Sequence, residues 1–248
     1  ANLTTDIRHE LQDSIGAGER IIIGYSGGVD SSTSAVLAGE VFKNRLLGVV
    51  IDGGQLREGE LGEIRQNANH CSIEIVVVDV RDNMQRLLGK VVDDQTKREI
   101  FSLLYVKTLE MEAHKFRAEY LLQGTLATDL IESGETGGDT IKKHHNTGLH
   151  TWLKQLQPLR NLFKYEVRGL ARDIGLPRSI YGRMPAPGPG LIIRVVDGPA
   201  STENLEIVRW ADARATEILK SNDQLRHIDQ FGVHLACVPT TGVKGDER

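Results

Sequence analysis

The chain has 248 residues, of which 40% are hydrophobic and 26% charged, and its formal net charge is −4. This length can hold one full-sized domain and a smaller second one. The negative charge disfavours nucleic-acid binding through the phosphate backbone, and we find neither a signal peptide nor an apolar run that could cross a membrane. The two cysteines, Cys71 and Cys237, form neither a disulfide framework nor a cysteine zinc site. We therefore expect a soluble, cytoplasmic protein.

Short β-branched runs alternate with helical stretches over the first 175 residues, which predicts a parallel sheet with helices on both faces. The predicted strands are 20–25, 46–51, 72–78 and 119–123, and the predicted helices are 31–43, 59–69, 95–117 and 163–174. Ligands of such sheets bind beyond the carboxyl ends of the strands. We therefore expect the binding site in the loops that follow Tyr25, Ile51, Val78 and Gln123.

A polar loop rich in Gly, Lys and His, residues 133–150, interrupts this alternation and is long enough to be a lid. The Pro- and Gly-rich segment 184–190 can be neither helix nor central strand, so it is predicted to link two domains. A helix at 202–220 between strands at 191–196 and 231–238 then indicates a smaller α+β unit. We expect domains at 1–184 and 185–248.

The heptad between the first strand and its helix is the strongest functional signal, and it consists of Ser26, Gly27, Gly28, Val29, Asp30, Ser31 and Ser32. Its glycines allow the backbone to approach a charged ligand closely. The amides and the positive dipole at the start of the helix favour an anion, and the serine hydroxyls add donors. This predicts phosphate binding, although a Gly-Gly turn with a good helix cap remains open. The Asp30 carboxylate either binds Mg²⁺ or caps the helix that follows the first strand.

The heptad resembles the pyrophosphate loop of the ATP pyrophosphatases, which split ATP to AMP and pyrophosphate. Further segments, in the same order along nearly the whole chain, are similar to those of the GMP synthetase family: 50–57, 123–133, 141–146, 158–160 with 164–168, 187–194 and 241–246. The resemblance implies an adenine nucleotide alpha hydrolase-like fold and a C-terminal domain that dimerises. It also implies a two-step reaction: xanthosine monophosphate attacks ATP to form an adenylylated base, and ammonia then displaces AMP to give GMP.

The resemblance also implies the roles of individual residues. Asp129 and Glu132 fall in the family segment that closes over the adenylate, while Lys142 and Lys143 are candidate phosphate clamps. His144, His145 and Asn146 suggest substrate positioning or proton transfer rather than zinc binding. The monophosphate is expected near Arg57 and near a set consisting of Pro187, Gly188, Pro189, Gly190 and Arg194. The alternatives are that Arg57 is a loop charge, that the lysines are solvated surface, and that the Pro-Gly segment only links domains.

This sequence departs from the family pattern at Gly53, Lys143 and Ala186, and the family continues beyond Arg248 with a segment that closes the nucleotide site. No Gly-x-Cys-x-Gly glutaminase nucleophile occurs in the chain. Ammonia is therefore expected free or from a separate glutaminase subunit, as in two-chain forms of the enzyme. The predicted cofactors are ATP and Mg²⁺, and a homodimer is expected.

Two other readings stay open at the level of sequence. The first is another ATP pyrophosphatase, either similar to NAD synthetase or tRNA-thiolating. Thiolating members need catalytic cysteines and a basic surface. This chain has two isolated cysteines and a net charge of −4, which argues against that branch. The second is a non-catalytic adenine-nucleotide sensor that uses the same loop. Such a sensor would release no pyrophosphate.

Overall fold

Five short strands form a parallel sheet in the computed structural model, which describes residues 3–132, 151–184, 188–228 and 230–238. The strands are β1 (Arg20–Gly24), β2 (Leu46–Asp52), β3 (Ile75–Asp79), β4 (Ala118–Leu122) and β5 (Lys154–Leu156). Their spatial order is β3-β2-β1-β4-β5, so β1 lies at the centre. Ile21, Ile22 and Ile23 of β1 are fully buried, as a central strand covered on both faces requires.

Helices lie on both faces of this sheet, as α2 and α5 show below. In chain order, the helices of all the described residues, which include helices of a second compact unit, are α1 (Leu3–Ser14), α2 (Val29–Phe42), α3 (Glu60–His70), α4 (Arg81–Leu88), α5 (Asp94–Phe116), α6 (Ala127–Glu132), α7 (Lys164–Asp173), α8 (Arg178–Tyr181) and α9 (Thr202–Ser221). A Cβ added to Gly24 would meet the Tyr105 hydroxyl of α5, whereas the next residue, Tyr25, places its hydroxyl 3.1 Å from Ser32 Oγ of α2. Because consecutive residues of an extended chain point to opposite faces, α5 and α2 lie on opposite sides of the sheet. The predicted parallel α/β fold is confirmed.

The described residues cluster into two compact units. The first comprises Ala1–Asp52, Gly59–Asp79 and Ser102–Pro185, and the second comprises Gly53–Glu58, Val80–Phe101 and Ala186–Arg248. The second unit therefore includes two stretches from the first half of the chain in addition to its C-terminal part. The predicted domains, 1–184 and 185–248, stay a prediction.

The second unit has less strand than the sequence predicts. Residues 191–196 were expected as one strand, but Gly190–Arg194 forms a 3₁₀ helix and only Val195–Val196 (β6) is strand, paired in parallel with Leu235–Ala236 (β7). The turn begins at Gly190, whose φ is +51°, and the Leu191 amide donates to the Gln55 carbonyl at 2.9 Å. A short apolar run fits a buried turn as well as a strand, which explains the difference.

Helices α1, α4, α6 and α8 and strand β5 are absent from the prediction above. In α1 the signal was weak, since only Ile7 and Leu11 are buried in an otherwise polar segment. No helix in the described part of the chain is long and apolar enough to cross a membrane.

Candidate functional site

The loop after β1 turns sharply at Gly27. Its φ is +67°, a left-handed conformation, and a Cβ there would lie 3.2 Å from the Cα of Ile64 in α3. The Asn67 side chain, also from α3, donates to the Gly27 carbonyl at 3.0 Å. Glycine is required at this position because both the backbone conformation and the contact with α3 exclude a side chain.

Gly28 directly precedes α2 and has an ordinary extended conformation, with φ −79° and ψ 170°. Within the described residues no side chain caps this end of α2, and the Ser32 amide donates to the Gly28 carbonyl at 2.9 Å as the helix begins. The amides of a first helical turn have no intrahelical partners, and the dipole makes this end positive. Among the described residues, a Cβ at Gly28 would meet only Ser26 Oγ, at 3.3 Å. The helix start is thus open to an anion.

The three serines of the loop have different surroundings. Ser26 Oγ and Ser31 Oγ lie 3.1 Å apart, and Ser31 also donates to the Gly28 carbonyl, so both line the turn. Ser32 is fully buried, and its hydroxyl pairs with Tyr25, which in turn donates to Cys71 Sγ at 3.7 Å. Val29 is buried as well. Burial raises the pKa of the Tyr25 phenol and of the Cys71 thiol, so both groups stay protonated at neutral pH.

Asp30 lies where two loops meet. A Cβ added to Gly124, which follows β4, would be 2.9 Å from the Asp30 Cβ, so the loops after β1 and β4 are in close contact here. One Asp30 carboxylate oxygen forms an ion pair with Lys164 at the start of α7. The other oxygen is buried and has no hydrogen-bond partner in the described part of the chain.

The Asp30 carboxylate fits a Mg²⁺ ion, because Mg²⁺ prefers hard oxygen ligands and commonly takes one or two carboxylates together with substrate phosphates. Among the described residues, no group donates a hydrogen bond to its buried oxygen. Among the described residues no group of three His, Cys, Asp or Glu side chains could hold a metal by itself. Mg²⁺ would therefore be held here by Asp30 together with phosphate oxygens.

Two basic residues near the loop were missing from the predicted site. Lys164 is one, and it lies within the segment 164–168 that carried part of the resemblance. The other is Arg183, which donates to the Ser26 carbonyl at 3.3 Å and forms an ion pair with Glu60 of α3. No sequence pattern pointed to Arg183, because its partners lie far away along the chain.

The predicted catalytic residues lie mostly in a part of the chain that the structure does not describe. Asp129 is exposed, and its carboxylate accepts from the Leu126 amide at 2.8 Å, as a residue at a helix start does. Glu132 is the last residue of α6, and its side chain lies outside the described set. Also outside the described residues are Lys142, Lys143, His144, His145, Asn146 and Pro187, together with the expected lid 133–150.

In the second unit, Arg57 and Arg194 both bind Asp212, a residue of α9 that the sequence did not single out. Arg57 Nε lies 2.7 Å from Asp212 Oδ2, and Arg194 Nη1 lies 2.7 Å from the other carboxylate oxygen, Asp212 Oδ1. Burial alone would raise the pKa of Asp212, but the hydrogen bond and charge of Arg57 and the charge of Arg194 hold that pKa below its ordinary value. Two guanidinium groups on one carboxylate leave a net positive charge.

Neighbouring contacts of the second unit hold these side chains in place. The Arg194 guanidinium lies against Gly232, where a Cβ would be 2.9 Å from Cζ. Arg209 of α9 donates to the carbonyls of Gly54 at 2.7 Å and Leu56 at 2.9 Å, which fixes the segment that carries Arg57. Gly188 and Pro189 directly precede the 3₁₀ helix. The structure thus brings together two of the residues predicted to contact a phosphate.

Comparisons with known proteins agree with this geometry. The profile of the NAD synthase family matches residues 1–122. Two solved structures share the fold. The NMN synthetase of Francisella tularensis has a TM-score of 0.61 and 18% identity over 76% of each chain. The NH3-dependent NAD synthetase of Campylobacter jejuni has a TM-score of 0.59 and 13% identity over 92% of this chain and 87% of that one. The parallel sheet and its helices therefore have the fold of these two synthetases.

The similarity to curated relatives identifies the family more specifically. One subunit of the glutamine-hydrolyzing GMP synthase of Thermoplasma volcanium is 40% identical over 249 residues, covering 98% of this chain and 77% of that protein. The glutamine-hydrolyzing GMP synthase of Coxiella burnetii (strain RSA 493) is 37% identical over 254 residues, covering all of this chain. The chain spans about half, 48%, of the length of that relative. The chain belongs to the GMP synthase family.

Proposed function

We propose that this chain activates xanthosine monophosphate with ATP and aminates it with ammonia to give GMP, AMP and pyrophosphate. The observation that carries the proposal is the open start of α2 beside the Asp30 carboxylate, in a chain 40% identical to a protein named as a subunit of GMP synthase. The helix start suits the phosphates of ATP, and membership of the GMP synthase family suggests xanthosine monophosphate as the acceptor.

The first step makes an adenylylated base. The oxygen on C2 of the xanthine attacks the α-phosphorus of ATP, and the bond from that phosphorus to the pyrophosphate oxygen breaks. The proposal assigns the departing pyrophosphate, whose charge must be neutralised, to the amides at the start of α2 and to the hydroxyls of Ser26 and Ser31. Mg²⁺, held by Asp30, would supply part of that neutralisation when bound.

The second step replaces the activated oxygen by nitrogen. Ammonia attacks C2 of the base, AMP leaves with the oxygen, and a proton is lost from the nitrogen. The proposal assigns adenylate contacts and proton handling to Asp129, Glu132, Lys142, His144 and His145, on the strength of the family resemblance.

The monophosphate of the acceptor is assigned to the basic cluster of the second unit. Arg57 and Arg194 carry two positive charges against the single charge of Asp212, which suits a dianion. Asn146 and the segment 187–190 complete the proposed set. Ammonia would come free or from a separate glutaminase, which fits a relative that is named as a subunit rather than as a whole enzyme. We further propose a homodimer that works in the cytoplasm.

The test is a product assay with the purified natural protein. It is incubated with ATP, Mg²⁺ and ammonium, with either xanthosine monophosphate or nicotinic acid adenine dinucleotide as acceptor. GMP and AMP formed in equal amounts with the first acceptor alone are expected. NAD formed with the second would establish the NAD synthetase reading, which the match of the NAD synthase family to residues 1–122 favours among the alternatives. ATP binding without AMP release would establish a sensor.

A further inference from the structure

Two consecutive carbonyls of the loop after β1 accept hydrogen bonds from side chains outside the loop. Arg183 Nη1 donates to the Ser26 carbonyl at 3.3 Å, and Asn67 Nδ2 donates to the Gly27 carbonyl at 3.0 Å. The donors lie 157 and 40 positions away along the chain, and all four residues belong to the first compact unit. Two successive peptide groups of the loop are thus held from outside.

The direction of these carbonyls also fixes the direction of the amides that follow them. The peptide bonds of the described residues are trans, and in a planar trans peptide the N–H and the C=O point in opposite directions. The amide of Gly27 therefore points away from Arg183, and the amide of Gly28 points away from Asn67. Among the described residues, the Gly27 amide donates to no acceptor and the Gly28 amide meets only Ser26 Oγ, at 3.4 Å. Folded proteins rarely leave such donors unpaired, and donors beside a helix start suit an anion.

The surroundings of Arg183 suit the holding of a carbonyl better than the binding of a phosphate. Its other terminal nitrogen, Nη2, forms an ion pair with the Glu60 carboxylate, which balances its charge, and the two side chains are only 21% and 13% exposed. The Arg183 backbone is fixed as well, because its carbonyl accepts from Arg168 Nη2 at 3.3 Å and its amide donates to the Ile180 carbonyl at 3.2 Å. A guanidinium can serve a carboxylate and a carbonyl together because its donors form a rigid planar fork.

We propose that Arg183 and Asn67 are positioning residues of the loop after β1. By holding two carbonyls back, they keep the amides of Gly27 and Gly28 turned toward an incoming pyrophosphate group, while Glu60 orients Arg183. Neither side chain touches the anion, and no bond is made or broken. Amides that are already turned bind an anion more tightly, because no free energy is spent on ordering them. The inference rests on the proposed nucleotide-binding function of this loop, but it concerns pyrophosphate binding and needs neither acceptor nor ammonia.

The first experiment follows these amides by two-dimensional NMR of the full-length protein, with inorganic pyrophosphate as the probe. In the wild type, the amide proton signals of Gly27 and Gly28 should move downfield as pyrophosphate is added. Arg183→Met and Asn67→Ala should each weaken that response and raise the Kd for pyrophosphate by about 3- to 10-fold, the equivalent of one hydrogen bond. Arg178→Met is the matched control, because Arg178 is an exposed arginine without an ion pair in the described residues. Wild-type affinity and amide response in both variants would overturn the proposal.

The second experiment separates positioning from the effect of charge. Arg183→Met/Glu60→Gln removes the ion pair and leaves the net charge unchanged, yet the Ser26 carbonyl still lacks its donor. Pyrophosphate should therefore bind at least about threefold more weakly than to the wild type, and the ratio of the two Kd values should be the same at low and high salt. Recovery of the wild-type Kd would show that only the field of the Arg183 charge matters. A ratio that falls steeply with salt would show that the guanidinium binds the anion itself. Either result would overturn the proposal.

Further outcomes separate positioning from a merely structural role. Binding of adenosine, which has no phosphate, should be equal in wild type, Arg183→Met and Asn67→Ala; an equal loss for adenosine and pyrophosphate would overturn the proposal. Asn67→Ala tests the second carbonyl independently, so a result is obtained even if Arg183→Met does not fold. GMP formation by a protein in which neither variant changes pyrophosphate binding would overturn the inference alone. Pyrophosphate binding that depends on Arg183 and Asn67 in a protein that forms no GMP would overturn the proposed function alone.

Discussion

Gly27 and Gly28 are adjacent, yet the structure gives them different roles. Gly27→Ala should destabilise the protein by about 1–2 kcal/mol, because its φ of +67° is unfavourable for a side chain and Ile64 is in the way. Gly28→Ala should leave stability nearly unchanged, since its conformation is ordinary, but should weaken ATP binding because the methyl group occupies the approach to the helix start. Urea denaturation and ATP titration of both variants are the measurements. A Gly28→Ala variant with normal ATP affinity would show that phosphates do not bind there.

Asp212 makes a pH-dependent contribution to stability. Its folded-state pKa is lowered, so the carboxylate stabilises the fold above the unfolded pKa of about 3.9, and this contribution is lost as the pH falls through the folded-state pKa. Asp212→Asn should cost about 3 kcal/mol at pH 7, since it leaves two guanidinium groups without a counter-charge. The difference from wild type should stay constant down to about pH 5 and shrink below about pH 4.

Urea denaturation at several pH values checks this expectation. Asp173→Asn serves as the control, because Asp173 is an exposed residue whose ion pair with Arg172 is equally exposed. A pH-independent loss in Asp212→Asn would mean that the carboxylate acts through packing rather than charge.

At the level of elements, the 3₁₀ helix Gly190–Arg194 offers a matched pair of glycines. A Cβ at Gly190 would lie 2.4 Å from the Gln55 carbonyl oxygen, at a φ of +51°, whereas no atom of the described residues lies within 4 Å of a Cβ at Gly188. Gly190→Ala should therefore destabilise the protein by at least about 2 kcal/mol, and Gly188→Ala should be neutral. Thermal unfolding of the two variants is the comparison. Equal melting temperatures would contradict the observed contact with Gln55.

Strands β1 to β4 could be predicted because each one is a local signal, whereas the three-residue β5 gives no such signal. Arg20–Gly24 and Leu46–Asp52 are short β-branched runs bounded by turns, and such runs between helical stretches define a parallel sheet. The apolar residues Leu191 and Ile192 carried the same local signal but form a 3₁₀ helix, because the contact with Gln55 decided their conformation. Local pattern cannot reveal such a contact.

The site was predictable only where it is continuous in sequence. The heptad around Asp30 was recognisable, since a strand, two glycines and a helix start follow one another directly. Lys164 contacts Asp30 from 134 positions away, and Arg57 contacts Asp212 from 155 positions away. No spacing rule connects residues at such separations, so both partners were invisible without the fold.

At the scale of the whole molecule, the source of nitrogen is the feature to test. Cys71 is buried and its thiol pKa is raised by burial, so it is a poor nucleophile. The 248-residue chain should form GMP with ammonium but not with glutamine alone, and Cys71→Ser should leave the ammonium-dependent rate within about twofold of wild type. Product assays with each nitrogen donor measure this. Glutamine-dependent GMP formation by the purified chain would reveal a glutaminase centre that the sequence does not suggest.

The way the second unit is assembled from separate stretches has a consequence for biosynthesis. Lys97 is fully buried, and its ammonium donates to the Val195 carbonyl at 2.6 Å, yet the stretch that carries Lys97 ends at Phe101 and the C-terminal part of the unit, which carries Val195, begins at residue 186. At about 5–20 residues per second, a ribosome needs roughly 4–17 s to synthesise the chain between them. During that interval the Lys97 ammonium lacks the Val195 carbonyl to which it donates in the finished unit. The second unit therefore reaches its final packing only after its C-terminal part has been synthesised.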